Sequence, residues 1–358
     1  MRTKRITAFL LSMVTAVSLL AGCGGVDKNK TVATLNDEPI SLGIANFTAR
    51  LLQANADDFY RQLFGEDVWS RDMYGSGKTM AESFKEDAIK TVQDMYTLQL
   101  HMDDYNVSLS DDEKAAITEA AQAFISDNDK DALNALGATE DIVEEYLTLT
   151  TIQTKMREAI IADADTEVSD DDAKTSSYSY VTISKTDSTS SSTESVDGTE
   201  VAESTEEQEA QAKAEAEEFA AKAAEDGLEA AADSYGYTVS TGTFRADGEN
   251  SSIKEEVLNQ LQMLKEGGIS GAIDTDNSYY VVRLDKEFDE DATEETRQSI
   301  IKDRQDTLYD DVLAGFEEKD TWKLKSKVWD TVTFDNLFTL VKDSTETVEN
   351  TEATTELQ

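Results

Sequence analysis

Leu264-Lys265-Glu266-Gly267-Gly268-Ile269-Ser270, followed closely by Ser278-Tyr279-Tyr280-Val281-Val282-Arg283-Leu284, is the stretch on which the fold turns. Residues 253–264 read as a helix, which Gly267-Gly268 stops. Residues 278–284 are β-branched and aromatic, the composition of a strand. Working back toward the N-terminus, 239–244 suggests a second strand, 228–235 suits a short helix, and an Ala/Glu-rich helix runs to about Asp226. That helix opens on Ser204-x-x-Glu207, a capping box. Before it, 184–204 is Ser/Thr-rich and acidic, too polar to pack, and reads as a disordered insert. Tyr178 to Ile183 is another strand. The order β-α-α-β-α-β predicts an α+β domain with a small antiparallel sheet.

Outward from this domain the pattern becomes helical. Residues 293–328 form a further helix with Ile300, Leu308, Val312, Leu313 and Phe316 on its apolar side, 329–334 alternates as a terminal strand, and 336–358 reads as an acidic disordered tail. Toward the N-terminus, 31–35 is β-like, Asn36-Asp37-Glu38 is turn chemistry, and Ser41 caps a helix whose Ile44, Phe47, Leu51 and Leu52 recur at helical spacing. Phe84, Ala88, Val92, Met95 and Met102 mark a long amphipathic helix. Ser110-Asp111-Asp112-Glu113 is a second capping box, and Thr139 caps another helix carrying Ile142, Tyr146, Leu149, Met156 and Ile160. Gly65, Gly75 and Gly77 make 65–79 a loop. Residues 31–162 therefore read as a mostly helical unit, and His101 as a partly buried residue within a helix.

The first residues are of another kind. Arg2, Lys4 and Arg5 precede an uncharged apolar run over 6–20, and Leu20-Ala21-Gly22-Cys23 follows. The run is short for a membrane span and reads as a signal peptide over 1–22. The tetrad resembles the lipobox of bacterial lipoproteins, which implies cleavage before Cys23 and acylation of its thiol. The chain would then be held at the outer face of a cell membrane by a lipid, with 23–30 as a tether, since two acyl chains anchor stably where one is marginal. The 358 residues hold 32 Lys and Arg against 75 Asp and Glu, a formal charge of −43, and removing the three positive charges of 1–22 leaves −46. Such a surface repels phosphate backbones and excludes nucleic acid as a partner. One Cys and one His leave no internal disulfide and no ready zinc site or Ser-His-Asp triad, so no metal and no cofactor is expected.

Three segments, in order, resemble the SurA/PrsA-type extracytoplasmic foldases. Val32-Ala33-Thr34-Leu35-Asn36-Asp37-Glu38-Pro39-Ile40-Ser41 is similar to the family's opening strand, Asn-Gly turn and capped helix, with Asp37 in place of Gly. Thr166-Glu167-Val168-Ser169-Asp170-Asp171-Asp172 is similar to the acidic helix start before the family's parvulin domain. The 264–270 and 278–284 pair resembles the parvulin ending, Leu-Lys-x-Gly-x-Ile-Ser and then Gly-Tyr-His-Ile-Ile-x-Leu. The resemblance implies a SurA-N-like helical chaperone domain built from both chain ends, 31–168 and 290–335, with a parvulin-like α+β domain inserted over 169–289. It implies peptidyl-prolyl cis-trans isomerase chemistry and, as partners, unfolded or newly exported polypeptides.

The same resemblance places the candidate site. Parvulins set two His beside an apolar pocket for the proline ring, and here those positions match Tyr180 and Tyr280. Phe244 matches the aromatic that ends the family's Gly-Trp-Phe, and Ile253 and Val257 fall where the pocket's apolar side chains belong. Two readings of the tyrosines stand open: hydroxyls that serve the site, or ordinary sheet residues. Two functions stand with them, an isomerase that assists folding and a non-catalytic holdase with a vestigial parvulin domain. A solute-binding lipoprotein fits poorly, because the repeated strand-helix alternation of two α/β lobes is missing.

Overall fold

The computed structural model describes residues 13–17, 26–185, 206–245, 253–334 and 337–341. Residues 1–12 and 18–25, Cys23 among them, 186–205 with Ser204, 246–252, 335–336 and 342–358 lie outside the described residues. In chain order the elements are β1 (Met13–Val17), β2 (Thr31–Leu35), β3 (Glu38–Ser41), α1 (Leu42–Phe64), α2 (Met80–Leu100), α3 (Asp111–Asp127), α4 (Lys130–Leu136), α5 (Glu140–Ile161), α6 (Asp170–Ala173), β4 (Thr175–Ser184), α7 (Glu206–Asp226), α8 (Leu228–Tyr235), β5 (Ser240–Arg245), α9 (Glu255–Leu261), β6 (Ile273–Asp274), β7 (Ser278–Lys286), α10 (Glu290–Glu317), β8 (Trp322–Leu324), α11 (Ser326–Trp329) and β9 (Leu337–Val341). The fold class is α+β. The chain divides into two compact units, residues 1–164 with 306–358 and residues 165–305.

The first unit is helical around a small sheet ordered β3-β2-β8. Asn36 and Asp37 turn the β2–β3 hairpin at φ 49° and 69°, the left-handed region that short polar side chains tolerate. Asp37 can therefore stand where Gly is usual. Ser41 accepts from the Ile44 amide at the start of α1, and Thr79 and Ser110 close capping boxes with Glu82 and Glu113. Phe47 of α1 meets Phe124 and Tyr146 edge-on, at 5.9 and 5.3 Å between centroids. Tyr309, Leu313 and Phe316 of α10 cluster with Leu98, Ile152, Met156 and Ile160, so the late helix does pack on the early ones.

Four readings of this unit are corrected. The helix expected over 293–328 runs from 290 to 317, because Trp322–Leu324 leaves it to pair with β2, Leu35 opposite Trp322. No strand spans 329–334: Trp329, Val332 and Phe334 are buried from a short helical turn and the irregular segment after it, with Phe334 5.2 Å from Trp69. The tail is ordered at its start, where β9 pairs antiparallel with β1. His101 is the C-cap of α2 rather than a residue within it. Its ring stacks on Phe316 at 3.8 Å, and its nitrogens face Asp104 and Asp320 at 2.6 and 3.2 Å.

Three side chains of α1 hold the β9 end in place. Asp57, fully buried, accepts from Trp69 Nε1 (2.9 Å), Arg61 Nε (2.9 Å) and the Phe338 amide. Arg61 Nη2 donates to the Phe338 carbonyl (2.9 Å), and Gln53 reaches the Phe334 carbonyl. Phe338 itself is completely buried.

The second unit is an antiparallel sheet ordered β5-β4-β7-β6. The two-residue β6 adds an edge strand to the three that the sequence pattern suggests. Because side chains alternate across a strand, β4 and β7 present two apolar faces. Val181, Ile183, Tyr279 and Val281 cover one face, beneath Phe219 and the small Ala212, Ala216 and Ala223 of α7. The other face carries α9 and the residues described next. Among the described residues no helix is long and apolar enough to cross a membrane, and no group of three or more His, Cys, Asp and Glu side chains could hold a metal ion.

Candidate functional site

Tyr178 and Tyr180 are two residues apart on β4 and point to the same face. In the antiparallel register Tyr178 lies opposite Leu284, Tyr180 opposite Val282 and Thr182 opposite Tyr280, so β7 brings Val282, Leu284 and Tyr280 to that face. From the other side β5 sets Phe244 opposite Ser176 and Gly242 opposite Tyr178. Helix α9 closes the group with Val257 and Leu261. Tyr178, Phe244, Val257, Leu261, Ile273, Val282 and Leu284 are buried together, with Tyr180, Ile253, Leu258 and Tyr280 half-buried against them.

Tyr180, Tyr280, Phe244, Ile253 and Val257, the five positions singled out in the sequence, thus lie in one apolar cluster on one face of the sheet. The rings form a chain: Tyr178 to Tyr180 is 5.5 Å at 29°, Tyr180 to Tyr280 is 5.8 Å at 33°, and Tyr178 to Phe244 is 5.9 Å at 68°. Such offset and edge-on pairs add about 0.5–1.5 kcal/mol each beyond their burial. Tyr180 and Tyr280, with Ile253 and Leu258, are partly exposed members of the cluster.

Among the residues not singled out in the sequence, Tyr178 and Gly242 shape the cluster most directly. Tyr178 is the most buried of the three tyrosines and the hub between Phe244 and Tyr180. Its signal was the i, i+2 spacing with Tyr180. Gly242 makes room for it: a Cβ there would sit 2.7 Å from two carbons of the Tyr178 ring and 2.8 Å from its hydroxyl. No residue larger than glycine fits without moving that ring.

Burial, and after it the nearby hydroxyls of Tyr180 and Tyr280, push the Tyr178 phenol up to about 12. The folded state therefore prefers the neutral phenol. The sign follows from proton linkage: below about pH 10 both states carry the proton and stability is unaffected, whereas between about 10 and 12 the unfolded chain alone ionises. Unit stability should fall there by about 2–3 kcal/mol, and Tyr178→Phe should flatten that slope. Denaturation followed by tyrosine circular dichroism at several alkaline pH values checks it.

Residues 189–298 match the family model of the PPIC-type PPIASE domain. The match covers less than half of the chain. It contains Phe244, Ile253, Val257 and Tyr280 and begins after Tyr178 and Tyr180. No curated protein matches the chain. Among solved structures, the foldase protein PrsA of Lactococcus lactis is similar at 13% identity and TM-score 0.34, covering 85% of this chain and 100% of that one. A structure reported for PEB4 and Cj1289, SurA-like chaperones of Campylobacter jejuni, is similar at 11% and 0.28, covering 83% and 99%. The peptidylprolyl isomerase PrsA of Bacillus cereus is similar at 16% and 0.32, covering 74% and 97%. Identities this low say nothing about activity. Over residues 189–298 the chain is similar to the PPIC-type PPIASE domain.

Proposed function

We propose that this chain is a protein-folding factor, held at the outer face of a membrane by a lipid on Cys23, whose parvulin-like domain receives prolyl segments of unfolded polypeptides in the apolar cup around Tyr178. In this reading residues 169–289 form the parvulin-like domain, and 31–168 with 290–335 form the body that holds clients. The observation that carries it is the convergence of Tyr178, Tyr180, Phe244, Val257 and Tyr280 on one sheet face within a unit related to the PPIC-type family.

Prolyl isomerisation crosses a barrier of roughly 20 kcal/mol set by amide resonance. A catalyst must bind the twisted amide better than the planar forms. An apolar cup for the proline ring strips water from the planar, more polar amide. A phenol hydroxyl can donate to the carbonyl or to the nitrogen, whose lone pair localises on twisting. The chain's single His is residue 101, outside this domain, so no imidazole serves the cup.

That absence supports a second reading, a holdase without catalysis. Phe59, Leu63, Phe64 and Tyr74 of the first unit are large, apolar and exposed, a patch suited to covering apolar stretches of a client.

The test uses the soluble chain without residues 1–23, a prolyl tetrapeptide and an aggregating unfolded client. The expected result is saturable peptide binding, suppression of aggregation at stoichiometric ratio, and an isomerisation rate that is flat between about pH 6 and 9, because no imidazole titrates in the cup. Absence of peptide binding overturns the cup reading, and unimpeded aggregation overturns the holding function. Anchoring is tested by mass spectrometry of the N-terminal peptide: an unmodified Cys23 overturns it.

A further inference from the structure

Strand β9 has two edges, and their partners differ in kind. In a strand, the N–H and C=O groups of successive residues point to opposite edges. The groups of Phe338 point to α1, where Asp57 accepts its N–H and Arg61 donates to its C=O. Those of Leu337, Thr339 and Val341 therefore point the other way, to β1, whose Val17, Thr15 and Met13 lie opposite them. The first edge is satisfied by side chains that the body always owns. The second is satisfied by Met13–Val17, which belongs to the leader. Helix α4 flanks the same segment.

We infer that the seat which β1 fills in the unprocessed chain is, in the processed protein, a docking site for one extended, uncharged, β-branched segment of an unfolded polypeptide, bound by strand addition to β9. The inference rests on the reading of residues 1–22 as a leader removed before Cys23, and it names where the proposed folding factor would hold a client. Removing β1 leaves three residues of β9 with backbone donors and acceptors aimed into the emptied seat, an open strand edge that an added extended chain can pair with. Binding by the main chain suits a factor with many clients, because backbone groups are the same in every sequence. The occupant's chemistry is read from Met13-Val14-Thr15-Ala16-Val17, which has no charge, three β-branched residues and no Pro. An uncharged segment also avoids an unpaired charge beside the fully buried Phe338. In the precursor the leader itself blocks the seat, so client binding begins with processing.

The probe is a fluorescent peptide spanning Met13–Val17 with neutral Ser-Gly flanks, and a second peptide with Pro in place of Thr15. The proteins are the soluble chain lacking residues 1–23 and the full-length chain carrying Cys23→Ser, so that its leader is retained. The first protein should bind the peptide saturably. Binding should weaken at least tenfold for the Pro peptide, which lacks the N–H that would pair with Thr339, and at least tenfold for the protein that retains its leader. Amide exchange at Leu337, Thr339 and Val341 should be fast in the processed chain and slow once peptide is added. Equal binding of both peptides, or by both proteins, overturns the seat. If aggregation is suppressed but the peptide does not bind, the folding-factor reading stands and the seat falls. If the peptide binds as described but no unfolded client is held, the seat stands and the folding-factor reading falls.

Discussion

Asp57→Ala should lower the stability of the first unit by about 3–5 kcal/mol, the usual cost of removing one partner from a buried ion pair. Asp57 is wholly buried and is met by an indole N–H, a guanidinium and a backbone amide. Alanine leaves the Trp69 and Phe338 donors unpaired and Arg61 short of its buried counter-charge, and each unsatisfied buried group costs about 1–3 kcal/mol. Asp57→Asn keeps one acceptor oxygen but turns an amide NH2 toward a donor, so it should lose less than alanine and still be clearly destabilised. Burial also raises the Asp57 carboxyl above the ordinary range, against the pull of its donors. The measurement is urea unfolding by tryptophan fluorescence. All three tryptophans, Trp69, Trp322 and Trp329, lie in the first unit, so the signal reports on it alone. An Asp57→Ala midpoint equal to that of the parent chain would show that β9 is held by other means.

Gly242→Ala should weaken binding of a prolyl peptide at least tenfold, about 1.4 kcal/mol, and destabilise the second unit by about 1–3 kcal/mol through overpacking. The added methyl meets the Tyr178 ring at 2.7 Å. That ring is buried between Phe244 and Tyr180, so it can retreat only by breaking the chain of rings on that sheet face. The decisive comparison is a double-mutant cycle. In a Tyr178→Ala background the same glycine substitution should cost almost nothing in stability, because the clash has been removed. Equal costs in both backgrounds would mean that Gly242 is required for its backbone and not for the space it leaves.

What the sequence displayed was its local chemistry. Ser41, Ser110 and Thr139 sit at helix starts because a side-chain oxygen satisfies an amide within the next turn, and such a bond is visible in a few consecutive letters. The hairpin at Asn36-Asp37 and the alternation of Tyr178 and Tyr180 are equally local. The grouping of Tyr180, Tyr280, Phe244, Ile253 and Val257 came instead from resemblance, since no periodicity links positions so far apart. What the sequence hid depends on distant partners. Trp322–Leu324 is three residues long and becomes a strand only because β2 offers an edge. Leu337–Val341 sits beside an acidic tail and is ordered by Asp57 and Arg61, some 280 positions away by the separation of their hydrogen bonds. The space that Gly242 leaves, similarly, can be seen only once Tyr178 lies over it.

The pairing of Ala33 with Leu324 has a consequence for the order of events during synthesis. The partner of the first hairpin lies 291 positions downstream (324 less 33), so most of the chain must emerge before that small sheet can be completed. Residues 165–305 are released earlier and contain all their own strands. They can finish folding while the first hairpin still waits. The entropy of closing so long a loop grows only logarithmically, by about 0.6 kcal/mol for each doubling of length, and a loop that has already condensed into a compact unit brings its two ends nearer still. Completion of the β3-β2-β8 sheet is thus expected late in synthesis, after residues 165–305 have folded.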